Sequence, residues 1–167
     1  MSHIEHRARG PASVSCFVLT VSDTRTEDTD SSGRAIRDLL IAAGHTVSGH
    51  AIVRDDPSDV RHHVIEQCGR DATQAIITTG GTGITSRDGT FEAVTGLMDK
   101  RLDGFGELFR MLSFQEIGPA AMMSRATAGT VRGTVVFVLP GSEGAVRLAM
   151  TRLILPELTH AVQQVRK

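Results

Sequence analysis

The chain has no tryptophan and no tyrosine, and only six phenylalanines among its 167 residues. Stacking platforms for single-stranded bases need several flat side chains and are therefore not expected. A net charge of -1 withholds the clustered basic footprint on which nucleic-acid binding rests. No apolar run approaches the roughly 20 residues of a membrane-spanning helix. The expectation is a chain with neither a nucleic-acid nor a membrane partner. Cysteine is equally scarce. Cys16 lies in an apolar run and Cys68 at a predicted helix end, with no Cys-x-x-Cys spacing, which predicts two buried or half-buried free thiols instead of a zinc or redox centre. His62 and His63 are adjacent and so share no helix face, and no Gly-x-Ser-x-Gly setting exists for a serine nucleophile.

Hydrophobic residues make up 40% of the chain and charged residues 22%, a balance that suits one folded domain. Residues 1–12 are polar and lack an apolar segment of the kind a secretory signal needs, so they are expected to form a flexible arm on a cytoplasmic protein. Residues 13–167 form the expected domain.

Within it, Ser13 to Val21 is nearly continuous and β-rich, as a central strand covered on both faces would be. Thr24 to Gly33 is polar and acidic, which predicts a loop with a mobile tip. Ile36, Leu39, Leu40 and Ala43 then recur at helical spacing up to Gly44. A second strand, Thr46 to Val53, leads to Asp55-Asp56-Pro57, where Asp56 can cap a helix with Pro57 at its first position. A third strand covers Ile76 to Thr79. Strands that alternate with helices in this way predict an open parallel sheet with helices on both faces, whose ligands sit beyond the strand carboxyl ends.

Further on, Phe105, Leu108, Phe109 and Leu112 fall at i, i+3, i+4 and i+7, a stripe for the core or for another subunit. The Met122-Met123 pair is expected to fill core gaps. Thr127 to Val131 and Thr134 to Leu139 read as two strands around a tight turn at Arg132-Gly133, and Pro156 is expected to break the last helix.

The chemistry concentrates after the third strand. Gly80-Gly81-Thr82-Gly83 cannot continue it. Glycine admits positive φ and close approach, so three glycines in four positions either turn the chain simply or aim successive backbone N–H groups at one anion beside the helix predicted from Thr90. Both standard nucleotide motifs fail here: no Gly-Lys-Ser/Thr ends the loop, and Ser86 stands where a dinucleotide fingerprint needs its third glycine. Pro140-Gly141-Ser142 repeats the arrangement of strand, sharp turn, polar residue and helix, with Ser142 also suited to plain helix capping. Asp88, just ahead of a helix, reads either as a cap or as a carboxylate for Mg²⁺ on polyphosphate, and Asp55 is the candidate second acid. Arg87 and Arg125 are candidate phosphate neutralisers.

Taken together, Thr78-Thr79-Gly80-Gly81-Thr82-Gly83, Arg87-Asp88, Thr90, Gly104-Phe105-Gly106-Glu107, Ser124-Arg125 and Leu139-Pro140-Gly141-Ser142 resemble the molybdopterin-binding MoaB/MogA family over roughly residues 14–158. The run from Gly104 to Gly118 is more similar to the B branch than to the adenylyltransferase branch. The resemblance implies a three-layer α/β/α fold, with a mostly parallel sheet and an antiparallel part, that assembles as a trimer or a dimer of trimers. It implies molybdopterin as substrate and Mg²⁺ with ATP as co-reactant, the pterin's terminal phosphate attacking the α-phosphate and releasing pyrophosphate. Position by position, Asp88 and Asp55 would be the catalytic and metal-binding acids, and Ser22-Asp23 would line the nucleotide side. Thr79, Gly80, Gly81, Thr82, Gly83, Glu107, Ser124, Gly141 and Ser142 would bind substrate. Two other readings stay beside it: a molybdopterin carrier without turnover, and a structural oligomer. A mononucleotide-binding regulator is the alternative outside the family.

Overall fold

A computed structural model describes residues 11–167, so the expected arm at residues 1–12 lies outside the described residues except for Pro11 and Ala12. Among the described residues six strands form, Ser15–Val21 (β1), Thr46–Val53 (β2), Ala75–Thr79 (β3), Lys100–Arg101 (β4), Thr127–Val131 (β5) and Thr134–Leu139 (β6). They make one sheet in the order β2-β1-β3-β6-β5-β4. The first four in that order run parallel, while β5 pairs antiparallel with β6 and β4 with β5. The β5–β6 hairpin closes on Arg132 and Gly133, both at positive φ, as a two-residue turn between right-twisted strands requires.

Helices Ser31–Ala42 (α1), Asp103–Ile117 (α4), Glu143–Ala149 (α5) and Leu155–Val165 (α6) cover one face; Pro57–Cys68 (α2) and Thr90–Thr95 (α3) cover the other. Because side chains alternate along a strand, β1 sends Cys16 and Val18 into the core beneath α1 and α4, and Phe17, Leu19 and Val21 into the core beneath α2 and α3. β6 divides likewise, Val135, Phe137 and Leu139 against Val136 and Val138. Two cores on one sheet are the expected three-layer α/β/α arrangement.

Three local expectations are corrected. The segment 24–33 is not all loop: α1 begins at Ser31 because Asp30 caps it, its carboxylate accepting the Gly33 N–H at 2.9 Å and the Thr20 hydroxyl at 2.7 Å. Met122 and Met123 do not fill the core; they are 79% and 49% exposed on a 3₁₀ turn, Gly118–Met123, that carries them off the end of α4. Pro156 does not break the helix. A π-helical turn, Met150–Ile154, joins α5 to α6 and widens the backbone just ahead of the proline. The predicted stripe of α4 splits: Phe109 and Leu112 are buried and Phe105 packs partly buried against the same core, whereas Leu108 is exposed, as are Met111, Phe114 and Ile117 outside the stripe.

Candidate functional site

All four parallel strands end at one edge, and their exits supply the walls of a cavity of about 310 Å³. Thr20 to Asp23 line it from β1, Asp55 from β2, Thr79 to Gly81 with Arg87 and Asp88 from β3, and Gly141 from β6. A second cavity of about 360 Å³ adjoins it, lined by Gly81, Thr82, Gly83, Asp88, Met123, Ser124 and Pro140 to Ser142. Gly81, Asp88 and Gly141 border both. The two glycine-bearing turns therefore converge, with an acid between them.

Each glycine of the first turn has its own reason. Gly80 and Gly81 sit at φ +100 and +70, and a Cβ on Gly80 would strike the Val21 carbonyl oxygen, one on Gly81 the Thr90 hydroxyl. Gly83 admits the Asp88 carboxylate, which lies 2.6 Å from where a Cβ would be. The turns are tied together: the Thr79 hydroxyl donates to the Pro140 carbonyl at 2.7 Å, Gly80 N–H to the Leu139 carbonyl at 3.0 Å, and the Ser32 hydroxyl to the Gly141 carbonyl at 2.7 Å.

Asp88 is not the cap of α3. That position falls to Gly89, which offers no side chain. Asp88 instead turns back, accepting the Thr85 N–H at 2.9 Å and the Thr85 hydroxyl at 2.7 Å. The Thr85 hydroxyl holds its carboxyl below the usual carboxylate range. Asp55 is 8% exposed and accepts the Gly89 N–H at 3.2 Å. Burial pushes its carboxyl up, and the charges of Asp88 and Asp23 push the same way. Asp23 accepts two guanidinium bonds from Arg87, at 2.9 and 3.0 Å, and the Asp55 N–H at 3.1 Å, so its carboxyl is held down, chiefly by Arg87. Ser22 accepts the N–H groups of Thr24 and Arg25, fixing the start of the following segment.

Among the described residues, no three or more His, Cys, Asp or Glu side chains are grouped to hold a metal ion by themselves. Asp55 and Asp88 suit a different arrangement. Mg²⁺ carried on polyphosphate uses one or two carboxylates and completes its shell with phosphate oxygens and water. The repulsion felt by Asp55 from its acidic neighbours is what a divalent cation would relieve.

The predicted residues do not all meet. Ser22, Asp23, Asp55, Thr79, Gly80, Gly81, Asp88 and Gly141 line the first cavity, and Thr82, Gly83, Ser124 and Ser142 the second. Glu107 stands apart, in a third cavity of about 420 Å³ that shares Ser124 with the second. Ser142 caps α5, its hydroxyl accepting the Ala145 N–H at 3.3 Å, and borders the site as well. Sequence reasoning missed Asp30, Ser32, Thr20 and Arg25 in the first cavity. The signal existed for two of them: Asp30-Ser31-Ser32 just before an apolar stripe is a helix-start pattern.

The family model described as a probable molybdopterin binding domain matches residues 17–160. Molybdenum cofactor biosynthesis protein B of Halalkalibacterium halodurans is 52% identical over 168 residues, covering 100% of this chain and 99% of the relative. The Bacillus subtilis protein of the same name is 51% identical over the same share of each chain. A crystal structure of a molybdenum cofactor biosynthesis protein B superposes with a TM-score of 0.91 at 50% identity, covering 95% of this chain and 99% of that one. That of the tungsten cofactor synthesizing protein MoaB from Pyrococcus furiosus gives 0.85 at 38% identity, covering 94% and 99%.

Proposed function

The chain belongs to the molybdopterin-binding MoaB/MogA family, on the side of molybdenum cofactor biosynthesis protein B, and from that membership we propose that it adenylylates the terminal phosphate of molybdopterin with MgATP. The supporting observation is the pair of adjoining cavities that share Gly81, Asp88 and Gly141. An acid-lined cavity beside a glycine turn suits a metal-bearing triphosphate, and the cavity between the two turns suits the pterin's phosphate and dithiolene. In the reaction an oxygen of the molybdopterin phosphate forms a bond to the α-phosphorus of ATP, and the α–β anhydride bond breaks to release pyrophosphate.

Because the attacking phosphate is already ionised, the protein needs no dedicated nucleophile; it must position two anions and offset their charge. The amides of Gly81 and Thr82 bind phosphate oxygens, and Gly141 keeps the second turn close enough to share them. Asp55 and Asp88 would hold Mg²⁺, which when bound neutralises charge on the triphosphate. The Arg87 guanidinium, held by Asp23, adds positive charge at the cavity mouth.

Incubation with molybdopterin and MgATP tests the reading. Pyrophosphate release supports the enzyme, pterin binding without release leaves the carrier, and neither discards both. The exposed Leu108, Met111, Phe114 and Ile117 on α4 form an apolar face fit for another copy of the chain. The family's trimer, or a dimer of trimers, is accordingly part of the proposal, and light scattering checks it. Action in the cytoplasm is proposed on the same basis; among the described residues no helix is long and apolar enough to cross a membrane.

A further inference from the structure

Arg125 makes more directed contacts near the site than any cavity-lining side chain there, yet its guanidinium lies outside the two cavities that Asp88 borders. It sits behind the glycine loop. Nε donates to the carbonyls of Thr82 at 3.2 Å and Gly83 at 3.1 Å, and Nη2 donates to Gly83 at 2.6 Å and to the Asp88 carbonyl at 3.4 Å. Nη1 pairs with Glu92, and the guanidinium carbon lies 5.1 Å from the centre of the Phe91 ring. A planar cation with five donors in a fixed fork can hold several carbonyls at once; an ammonium on a flexible stem cannot hold them in the same geometry.

In a trans peptide the carbonyl and the next N–H point in opposite directions. When Arg125 draws in the carbonyls of Thr82 and Gly83, the amides of Gly83 and Ile84 are turned the other way, that of Gly83 toward the Asp88 carboxylate. The Asp88–Gly89 peptide shows the consequence directly: its carbonyl meets Arg125, and its amide, on Gly89, donates to Asp55 Oδ1 at 3.2 Å. One peptide thus links Arg125 to both acids.

We propose that Arg125 is a positioning residue: by gripping the carbonyls of Thr82, Gly83 and Asp88 it orders the loop and, through the Gly83 and Gly89 amides, sets the Asp88–Asp55 pair toward the bound phosphates. The binding part of this inference rests on the function proposed above, whereas the ordering of the loop does not. The third cavity, about 420 Å³, opens on Arg125, so a small guanidinium can enter when the side chain is removed.

Hydrogen–deuterium exchange on the full chain and titration with molybdopterin test it together, using Arg125→Ala, Arg125→Lys and the unaltered protein. Arg125→Ala should speed exchange at residues 83–89 by about tenfold or more while β1 and β3 keep their protection. Molybdopterin binding should weaken by a similar factor, added methylguanidinium should restore both, and Arg125→Lys should restore neither. Unchanged loop exchange in a folded Arg125→Ala, full recovery by Arg125→Lys, or no recovery with methylguanidinium would overturn the role. If Arg125→Ala does not fold, Arg125→Gln carries the exchange comparison. Should the unaltered protein bind no molybdopterin, the functional reading falls, and loop exchange with its rescue alone decides for or against Arg125.

Discussion

Two glycine-bearing turns leave neighbouring parallel strands at one edge of the sheet, and they treat their backbone groups differently. After β6, Pro140-Gly141-Ser142 runs straight into α5, and Ser142 satisfies the Ala145 amide. After β3, ten residues separate the strand from α3, two glycines take positive φ, and Gly89 supplies no side-chain cap. A capped helix start is a finished wall. The uncapped, glycine-rich loop lacks that closure and is held by something else, here Arg125 from behind and Thr79, bonded to Pro140, from the side. The lesson is that the same strand–turn–helix outline closes on its own cap in one turn and is held by distant side chains in the other.

Substitutions can break or sharpen that contrast. The largest effect is expected from Asp88→Asn, which should lower pyrophosphate release by about a hundredfold or more, the usual scale for removing one charge-positioning group, with the fold retained by circular dichroism; ordinary turnover would discard the acid's role. Gly81→Ala comes next. Positive φ and the approach of Thr90 leave no room for a methyl group, so urea unfolding should show a loss of roughly 2–4 kcal/mol. Ser142→Ala should cost about 1 kcal/mol through the lost cap. Gly141→Ala should cost less than about 0.5 kcal/mol, because an added Cβ meets only Gly80 at 3.4 Å and φ is not in the left-handed region. Equal losses at Gly81 and Gly141 would erase the distinction between the turns.

Acidity gives a subtler test. Asp88 is easier to ionise in the folded chain, so its contribution is complete above the unfolded carboxylate pKa of about 3.9 and fades as pH drops through its lowered folded value. Asp55 behaves oppositely. Folding favours its protonated form, so stability declines as pH climbs from about 3.9 through its raised folded value. Asp55→Asn should therefore melt above the unaltered protein at neutral pH, with the gap narrowing in acid, while any adenylylation is lost. A lower melting temperature at neutral pH would show that the Gly89 bond outweighs the buried charge.

The sheet and both turns were legible in the sequence because their signals are local: β-branched runs bounded by glycine, Asp56-Pro57 at a helix start, Arg132-Gly133 in a hairpin. Other features were not local. Arg125 is informative only once carbonyls some forty residues earlier lie against it. Glu107 follows a recognisable motif, yet α4 points it into a neighbouring cavity. Met122 and Met123 have a composition suited to a core, but the 3₁₀ turn after Gly118 exposes them. Asp30 and Ser32 were obscured by the acidic run before them, which outweighed their capping pattern.

The π-helical turn at Met150–Ile154 carries a consequence for chain length. A π turn accommodates one residue more than an α turn would, and the Leu155 amide reaches back to the Met150 carbonyl. Shortening this stretch by one position would tighten it into ordinary α-helix and set the Pro156 ring against the backbone of the preceding turn. The bulge is thus the joint that lets a proline ride inside a continuous rod from Glu143 to Val165, keeping Leu158 and Val162 seated on the sheet.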